Sequence, residues 1–247
     1  MLEKLKTIAL LATTAVMSIS NSVFAQEQEI PLNTKSRGGR GYFMAGTNIL
    51  DFDGFNAALR AQGYPTFSSN LFSIGLGGHG IINRFILGGE AHGLLTSNKN
   101  FSLSGRRYKR SLETGYAFFN VGYQIIRHNG FALFPLIGLG GGGMTLRILD
   151  KTTSTFDEIL ADPGRSATLT TGGILTHASL GLDYLVTTRQ TAHLKRGFVL
   201  GLRAGYNFAP ITGDWHLEAS DVDGGPELRV TGPYARLIIG LGNDRLK

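Results

Sequence analysis

Residues 111–146 read SLETGYAFFNVGYQIIRHNGFALFPLIGLGGGGMTL, and the centre of this stretch is the four-residue group His128-Asn129-Gly130-Phe131. Asn-Gly between two apolar runs is the strongest short-range signal of a hairpin, because both central residues of a type I′ turn need φ > 0. On the way in, Ala117, Phe119, Val121, Tyr123 and Ile125 share one parity, and Thr114, Tyr116, Asn120, Gly122 and Gln124 share the other. On the way out, Phe131, Leu133, Pro135, Ile137 and Leu139 lie on one face, before the run Gly140 to Gly143. Each arm exceeds the five or six residues usual for a soluble strand. Each also reaches the 9–11 residues that a tilted strand needs to cross a bilayer.

Working outward, the chain has 247 residues, 35 glycines, no cysteine and a formal charge of +6. That length suits one β-domain with a core of its own. Residues 1–25 read as an export leader: Lys4 and Lys6 precede the apolar run Ile8 to Ile19, and Val23-Phe24-Ala25 supplies a small-x-small cleavage site. Export without cysteine excludes a disulfide scaffold and a lipid anchor on an N-terminal cysteine. No later stretch holds 18 consecutive apolar residues, so the sequence offers no transmembrane helix. Two architectures remain: a secreted soluble protein, or a membrane barrel.

Residues 26–38 form a polar tail, and residues 39–247 the folded part. A first strand is expected from about Gly39 to Asn48. A short helix should follow, capped by Asp51 or Asp53, with Phe52, Phe55 and Leu59 on one side and Gly63 and Pro65 ending it. Strand two, Leu71 to Ile81, sets Phe72, Ile74 and Leu76 against Ser73, Gly75, Gly77 and His79. After a tight turn at Ile82-Asn83-Arg84, strand three sets Phe85, Leu87, Gly89 and Ala91 against Glu90 and His92. The basic stretch Thr96 to Arg110 leads into the hairpin, and the polar segment Asp150 to Ser166, with a helical turn at Phe156 to Leu160, leads out. Strand six spans Thr170 to Val186, strand seven Phe198 to Phe208 and strand eight Val230 to Gly242. The connection after strand six, Thr188 to Arg196, is basic; that after strand seven, Ala209 to Leu228, is acidic.

Two regularities separate the alternatives. The strand count is eight, with long connections after strands one, three, five and seven and shorter ones after two, four and six, as in transmembrane barrels with short periplasmic turns and longer outer loops. The ionised residues within the strand cores are Glu90, Asp183, Arg203 and Arg236, all on the parity opposite the large apolar residues. A lipid-facing sheet forbids charge on its outer face, whereas a soluble sandwich needs charge there. Aromatics near the strand ends stand where interfacial girdles belong: Phe85, Tyr123, Phe131, Tyr184 and Phe198 on the turn side, Phe72, Tyr206 and Phe208 on the loop side.

The leader, the glycine- and aromatic-rich alternating strands and the Tyr234-to-Gly242 ending resemble the small eight-stranded outer-membrane β-barrels of OmpA/OmpX-like architecture. The segment Asp51 to Pro65 is similar to the helical first loop of outer-membrane barrel families of the Bacteroidetes type. The resemblance implies an integral protein of the Gram-negative outer membrane, inserted by the barrel assembly machinery. Such barrels often end on an aromatic residue, whereas this chain continues past Gly242 to Asn-Asp-Arg-Leu-Lys. Recognition is then expected to use the internal Tyr234, Leu237, Ile239 and Leu241.

Chemical motifs are sparse. The chain carries no HExxH, no P-loop and no GxSxG in a strand-turn-helix context. No Lys-Ser/Thr follows Gly140 to Gly143, so a bending barrel strand explains that run better than a phosphate loop. Asp221-Val222-Asp223-Gly224-Gly225 with Glu227 lacks the spacing of a calcium loop and reads as an acidic solvated loop. His177 and Ser179, two apart on a strand, share the inner face as a nucleophile pair would. Some eight-stranded lipid A deacylases use a His-x-Ser pair followed by Asn. Here Leu180 takes the Asn position, and a histidine hydrogen-bonded in a polar lumen is the plainer account.

The expected fold is thus all-β: an eight-stranded antiparallel up-and-down transmembrane β-barrel with a short helix in the first outer loop. Its lumen should be filled, since eight strands leave room for little beyond side chains. Glu90, Asp183, Arg203 and Arg236 are expected to meet inside as a neutral cluster. Lys99, Arg106, Arg107, Lys109 and Arg110 are expected to form an outer basic patch that either holds lipopolysaccharide phosphates or pairs with the acidic loops of residues 149–166 and 209–229. The expected role is non-enzymatic, through outer loops acting in adhesion, envelope integrity or binding of an external ligand. A lipid-modifying enzyme using His177 and Ser179, and a small-solute channel, are the alternatives. The expected partners are outer-membrane lipids; no cofactor, metal or nucleic acid is expected.

Overall fold

The computed structural model describes residues 36–151, 155–161, 166–217, 220–226 and 229–246. The expected leader and most of the polar tail lie outside these residues. Eight long strands form the wall: β1 (Ser36–Ile49), β2 (Asn70–Ile82), β3 (Phe85–Leu95), β5 (Arg106–Tyr123), β7 (Phe131–Asp150), β8 (Ser166–Thr191), β9 (Leu194–Thr212) and β12 (Gly232–Leu246). Four short strands extend the connections: β4 (Lys99–Leu103), β6 (Ile126–His128), β10 (Trp215–Leu217) and β11 (Ser220–Val222). Helix α1 (Asp53–Ala61) lies in the first outer loop and α2 (Phe156–Ala161) in the third.

The wall closes on itself. Each long strand pairs antiparallel with its neighbours in the chain, and β12 pairs with β1. A walk along paired residues from Gly38 passes through Ile81, Ile86, Gly122, Leu136, Ser179, Gly205 and Tyr234, and returns to β1 at Asn48, ten residues further on. That stagger tilts the strands by roughly 40° and sets a lumen only wide enough for side chains. Closure removes every sheet edge, which a bilayer demands because it offers the backbone no hydrogen-bond partner.

The alternation read from the sequence becomes the two faces of the wall. Phe72, Ile74 and Leu76 point outward at 48–61% exposure, while Ser73 and His79 between and beyond them are buried. Leu180, Leu200 and Leu202 are likewise half exposed, and Asp183 and Arg203 are buried. The central turn forms as expected, with Asn129 at φ 45° and Gly130 at φ 87°.

Four details depart from the regular strands, one of them a register shift between Thr187 and Arg189 on β8. The hairpin arm is interrupted: the Gln124 amide bonds the Arg84 carbonyl, and the pairing with β7 shifts by one residue before β6 begins. The extra residue buries Gln124 and turns both Ile125 and Ile126 outward. A second bulge, at Ala209-Pro210 on β9, buries Ala209 beside the outward Phe208 and Ile211 and accommodates a proline in a strand. At the other end, strand eight runs past its expected end at Gly242: β12 continues to Leu246, and Asp244 binds Arg40 inside.

The lumen core has layers. Ile81, Ile86, Ala132, Phe134 and Leu136 fill the end near the short turns. At the loop end a larger cluster joins α1 to the wall, among them Leu50, Phe52, Phe55, Leu59, Phe67 and Trp215. A nine-residue helix is marginal alone, so this burial is what holds α1. Asp51 Oδ1 accepts the Asp53 amide at 3.0 Å, and Gly63 takes φ 74° after the last turn. Inside the loop, the Asn56 side chain both donates to the Phe67 carbonyl (2.9 Å) and accepts from its amide (2.8 Å). Phe55 then stacks on Phe67 (5.8 Å between centroids) and on Trp215 (6.0 Å), joining the first and last outer loops.

Candidate functional site

The centre of the lumen is organised by Glu90 on β3, diametrically across the ring from β9. Its Oε2 accepts from Arg203 Nη1 at 2.7 Å, and its Oε1 lies 3.3 Å from Arg236 Nη1. Arg203 and Arg236 are directly paired across β9 and β12, so one carboxylate holds two guanidinium groups side by side. Arg236 also reaches His92 Nε2 (3.1 Å) and donates to the Tyr116 hydroxyl (2.7 Å), and Arg203 donates to the Tyr42 hydroxyl (3.3 Å). The ring of Tyr234 lies 3.7 Å from the Arg236 guanidinium carbon. All three charged side chains of this knot are fully shielded from solvent. Such burial is tolerated only because each ion is paired.

Asp183 does not join them. Its row pairs with Gly201, two residues nearer the short turns than Arg203. The Phe134 ring packs onto Gly181, in the same row as Arg203. Asp183 makes no ion pair with either arginine, whereas Glu90 reaches both from across the lumen. The nearest counter-group of Asp183 is His79 Nε2 at 3.8 Å, and neither carboxylate oxygen has a hydrogen-bond partner among the described residues. The knot therefore joins one carboxylate to two guanidinium groups. The neutral fourfold cluster expected from the sequence is not what forms.

His177 and Ser179 share the inner face but are not hydrogen-bonded to each other. His177 Nε2 lies 2.8 Å from Asn120 Oδ1, and Nδ1 lies 3.0 Å from the Tyr234 hydroxyl. The amide oxygen can only accept, so Nε2 carries the proton and Nδ1 accepts from the tyrosine. Both ring nitrogens are thus occupied, leaving none to take a proton from Ser179. The ring lies over Gly138, where any Cβ would collide with it. The plainer account from the sequence fits this geometry.

The outer basic patch is divided. Paired residues share a face, so Lys99, Arg106 and Arg110 lie on one side of the β4–β5 hairpin and Arg107 and Lys109 on the other. Arg110 is buried: its guanidinium carbon stands 3.5 Å above the Phe67 ring and Nη2 donates to the Thr66 carbonyl. It is a structural cation holding the loop end. Arg106 lies 3.6 Å from Asp150 on β7, while Arg147 stands on the outward wall close to Glu113 (3.8 Å). The acidic loops are only partly described; Asp221 there binds His216 Nδ1 at 2.8 Å. Among the described residues no group of three metal-ligating side chains converges.

Sequence reading missed His92, Tyr116, Tyr42 and Tyr234 as members of the knot. The available signal was their parity, since each stands an even number of residues from a lumen charge or histidine on its own strand. It also named Tyr234 with Leu237, Ile239 and Leu241 for assembly recognition; the three aliphatics face outward, but Tyr234 faces the lumen.

The ring, its stagger, the outward apolar belt and the short-turn, long-loop alternation make this an eight-stranded transmembrane β-barrel, an integral architecture of the bacterial outer membrane. No family model and no curated protein matches the chain. Solved structures similar to it include Ail, the attachment invasion locus protein of Yersinia pestis (14% identity, TM-score 0.37, covering 85% of this chain and 98% of that one). Neisserial surface protein A (NspA) is similar at 10% identity and TM-score 0.34, covering 85% of this chain and 96% of that one. The outer membrane protease OmpT from Escherichia coli is similar at 7% identity and TM-score 0.29, covering 90% and 99%. At these TM-scores the architecture rests on the strand ring and its register.

Proposed function

We propose that the protein is a non-enzymatic outer-membrane barrel that acts through its outer loops, in adhesion, envelope integrity or the binding of an external ligand. The observation that carries this reading is that the lumen is stopped twice, by the Glu90–Arg203–Arg236 knot and by the aromatic cap around Phe55 and Trp215. A doubly stopped lumen serves no solute, so what remains for function is the surface above the membrane. Strands β5, β7 and β8 continue well past the apolar belt and display that surface on paired backbone. On its outward side, Arg107 and Lys109 stand near Arg147, where they would hold lipopolysaccharide phosphates by charge-assisted bonds.

The experiment compares the full-length protein with variants whose β4–β5 and β10–β11 hairpin tips are replaced by short glycine-serine turns. The variants are expected to keep the heat-modifiable mobility of a folded barrel, and cells carrying them to lose adherence to epithelial monolayers or resistance to detergent. Unchanged behaviour in both assays would sink the reading. Stepwise conductance of the wild type in planar bilayers would replace it with a channel, and lipid A hydrolysis lost in Ser179→Ala would replace it with an enzyme.

A further inference from the structure

On the outward face at the short-turn end of the wall, a groove of about 530 Å³ runs across β8, β9, β12 and β1. Its apolar wall is the directly paired Phe198 and Leu241, which are 55% and 63% exposed. Arg196, Thr188 and Asn243 form its lower lip. Arg196 lines the groove, and Arg37, Arg189 and Arg245 stand on the same face beyond its lining. Arg189 is directly paired with Arg196, and Arg37 with Arg245, all four exposed. Paired residues share a face, and Arg196 stands two residues from Phe198 while Arg245 stands four from Leu241, so the cluster lies on the lipid side of the wall. Arg196 also pairs with Asn243, which continues the row to Gly39.

Like charges placed directly opposite on a sheet destabilise it unless something between them carries the opposite sign. Among the described residues none supplies that charge. The acids at this end, Asp183 and Asp244, are buried in the lumen, and Asp244 is held by Arg40 at 2.9 Å and Arg127 at 3.4 Å. Among the described residues none of the four arginines has an acidic side chain within ion-pair distance.

We propose that this groove binds a dianionic phospholipid of the periplasmic leaflet. The planar guanidinium forks suit phosphate oxygens. The two arginine pairs lie two strand spacings apart across the wall and two residues apart along it, roughly 12 Å, a span that a glycerol-bridged diphosphate meets with flexible arginines on either side. An acyl chain lies along Phe198 and Leu241, with its headgroup at the level of Arg196 and Asn243. The occupant comes from the periplasmic leaflet because the groove adjoins the short turn between β8 and β9, with the whole apolar belt separating it from the outer loops.

The test is native mass spectrometry of the refolded barrel, released from micelles containing equimolar diphosphatidylglycerol and phosphatidylethanolamine. Wild type should retain the diphosphatidylglycerol over the zwitterionic lipid by about tenfold, as expected for a basic cluster at a membrane surface. The fourfold variant Arg37→Gln, Arg189→Gln, Arg196→Gln, Arg245→Gln should bring the ratio near parity while keeping heat-modifiable mobility. Should that variant fail to refold, the double variant Arg189→Gln, Arg196→Gln is expected to lower the ratio about threefold. Equal retention of both lipids by wild type, or an undiminished preference in a folded variant, overturns the proposal. Lipid A retained as strongly as diphosphatidylglycerol, and lost in the same variants, overturns the assignment to the periplasmic leaflet.

Discussion

Along β9 the outward residues Phe198, Leu200, Leu202, Tyr206 and Phe208 are 40–55% exposed, whereas the inward Val199, Arg203 and Asn207 are at 1% or less. A water-soluble sheet would reverse this order. Each face responds to its solvent: lipid excludes charge from the outside of the apolar belt, so what charge the belt carries is turned inward and must be paired there. The two faces also differ in how they depend on neighbours. An outward leucine needs only its height in the bilayer, whereas Arg203 needs Glu90 from across the ring. Damage inside the barrel should therefore spread to partners, and damage outside should stay local.

The sharpest way to break this contrast is Glu90→Ala, which leaves Arg203 and Arg236 facing each other without a counter-charge. The expected destabilisation is about 3–5 kcal/mol, measured by urea titration of the barrel refolded in vesicles. A cost below about 1 kcal/mol would show that water, and not pairing, stabilises the arginines. On the outer face, Leu200→Arg should cost about 2–4 kcal/mol, the range for a basic residue at mid-bilayer, with no effect on inward side chains. If it folds as stably as wild type in the same titration, the two faces have been assigned backwards.

The cap offers a smaller effect of a third kind, since at Leu59 it rests on apolar burial. Leu59→Ala should cost about 2 kcal/mol and loosen α1, seen as faster hydrogen exchange in residues 53–61 with β9 unchanged. Planar bilayers should still show no conductance, because the knot beneath the cap remains. The smallest expected effect concerns Asp183. The coupling between Arg203→Ala and Asp183→Ala in a double-mutant cycle should be under about 0.5 kcal/mol, whereas Arg203→Ala with Glu90→Ala should couple well above it. Strong coupling with Asp183 would restore the fourfold cluster.

The loop end shows most plainly where linear reading stops. Arg110 belongs by composition to a basic stretch, and nothing local distinguishes it from Arg107 or Lys109. Its burial over Phe67 depends on the first loop folding back to meet the second, a contact 43 residues distant along the chain. The β4–β5 hairpin escaped notice because Phe101 and Leu103 are the only two apolar residues of the five-residue Lys99–Leu103, too short a period-2 trace to stand out in a basic stretch.

What the chain determines by itself is everything that follows from alternation and turn chemistry: the strands, the sign of each face, the Asn129-Gly130 turn and the even count. These are local properties, because successive side chains of a strand must point to opposite sides whatever surrounds them. Closure and stagger belong to the tertiary structure alone. The ten-residue offset around the ring decides which inward residues share a level, and so it joins Glu90 to Arg203 and Arg236 while leaving Asp183 beside His79. A charge's face is set by its own strand, but its partner is set by the geometry of all eight.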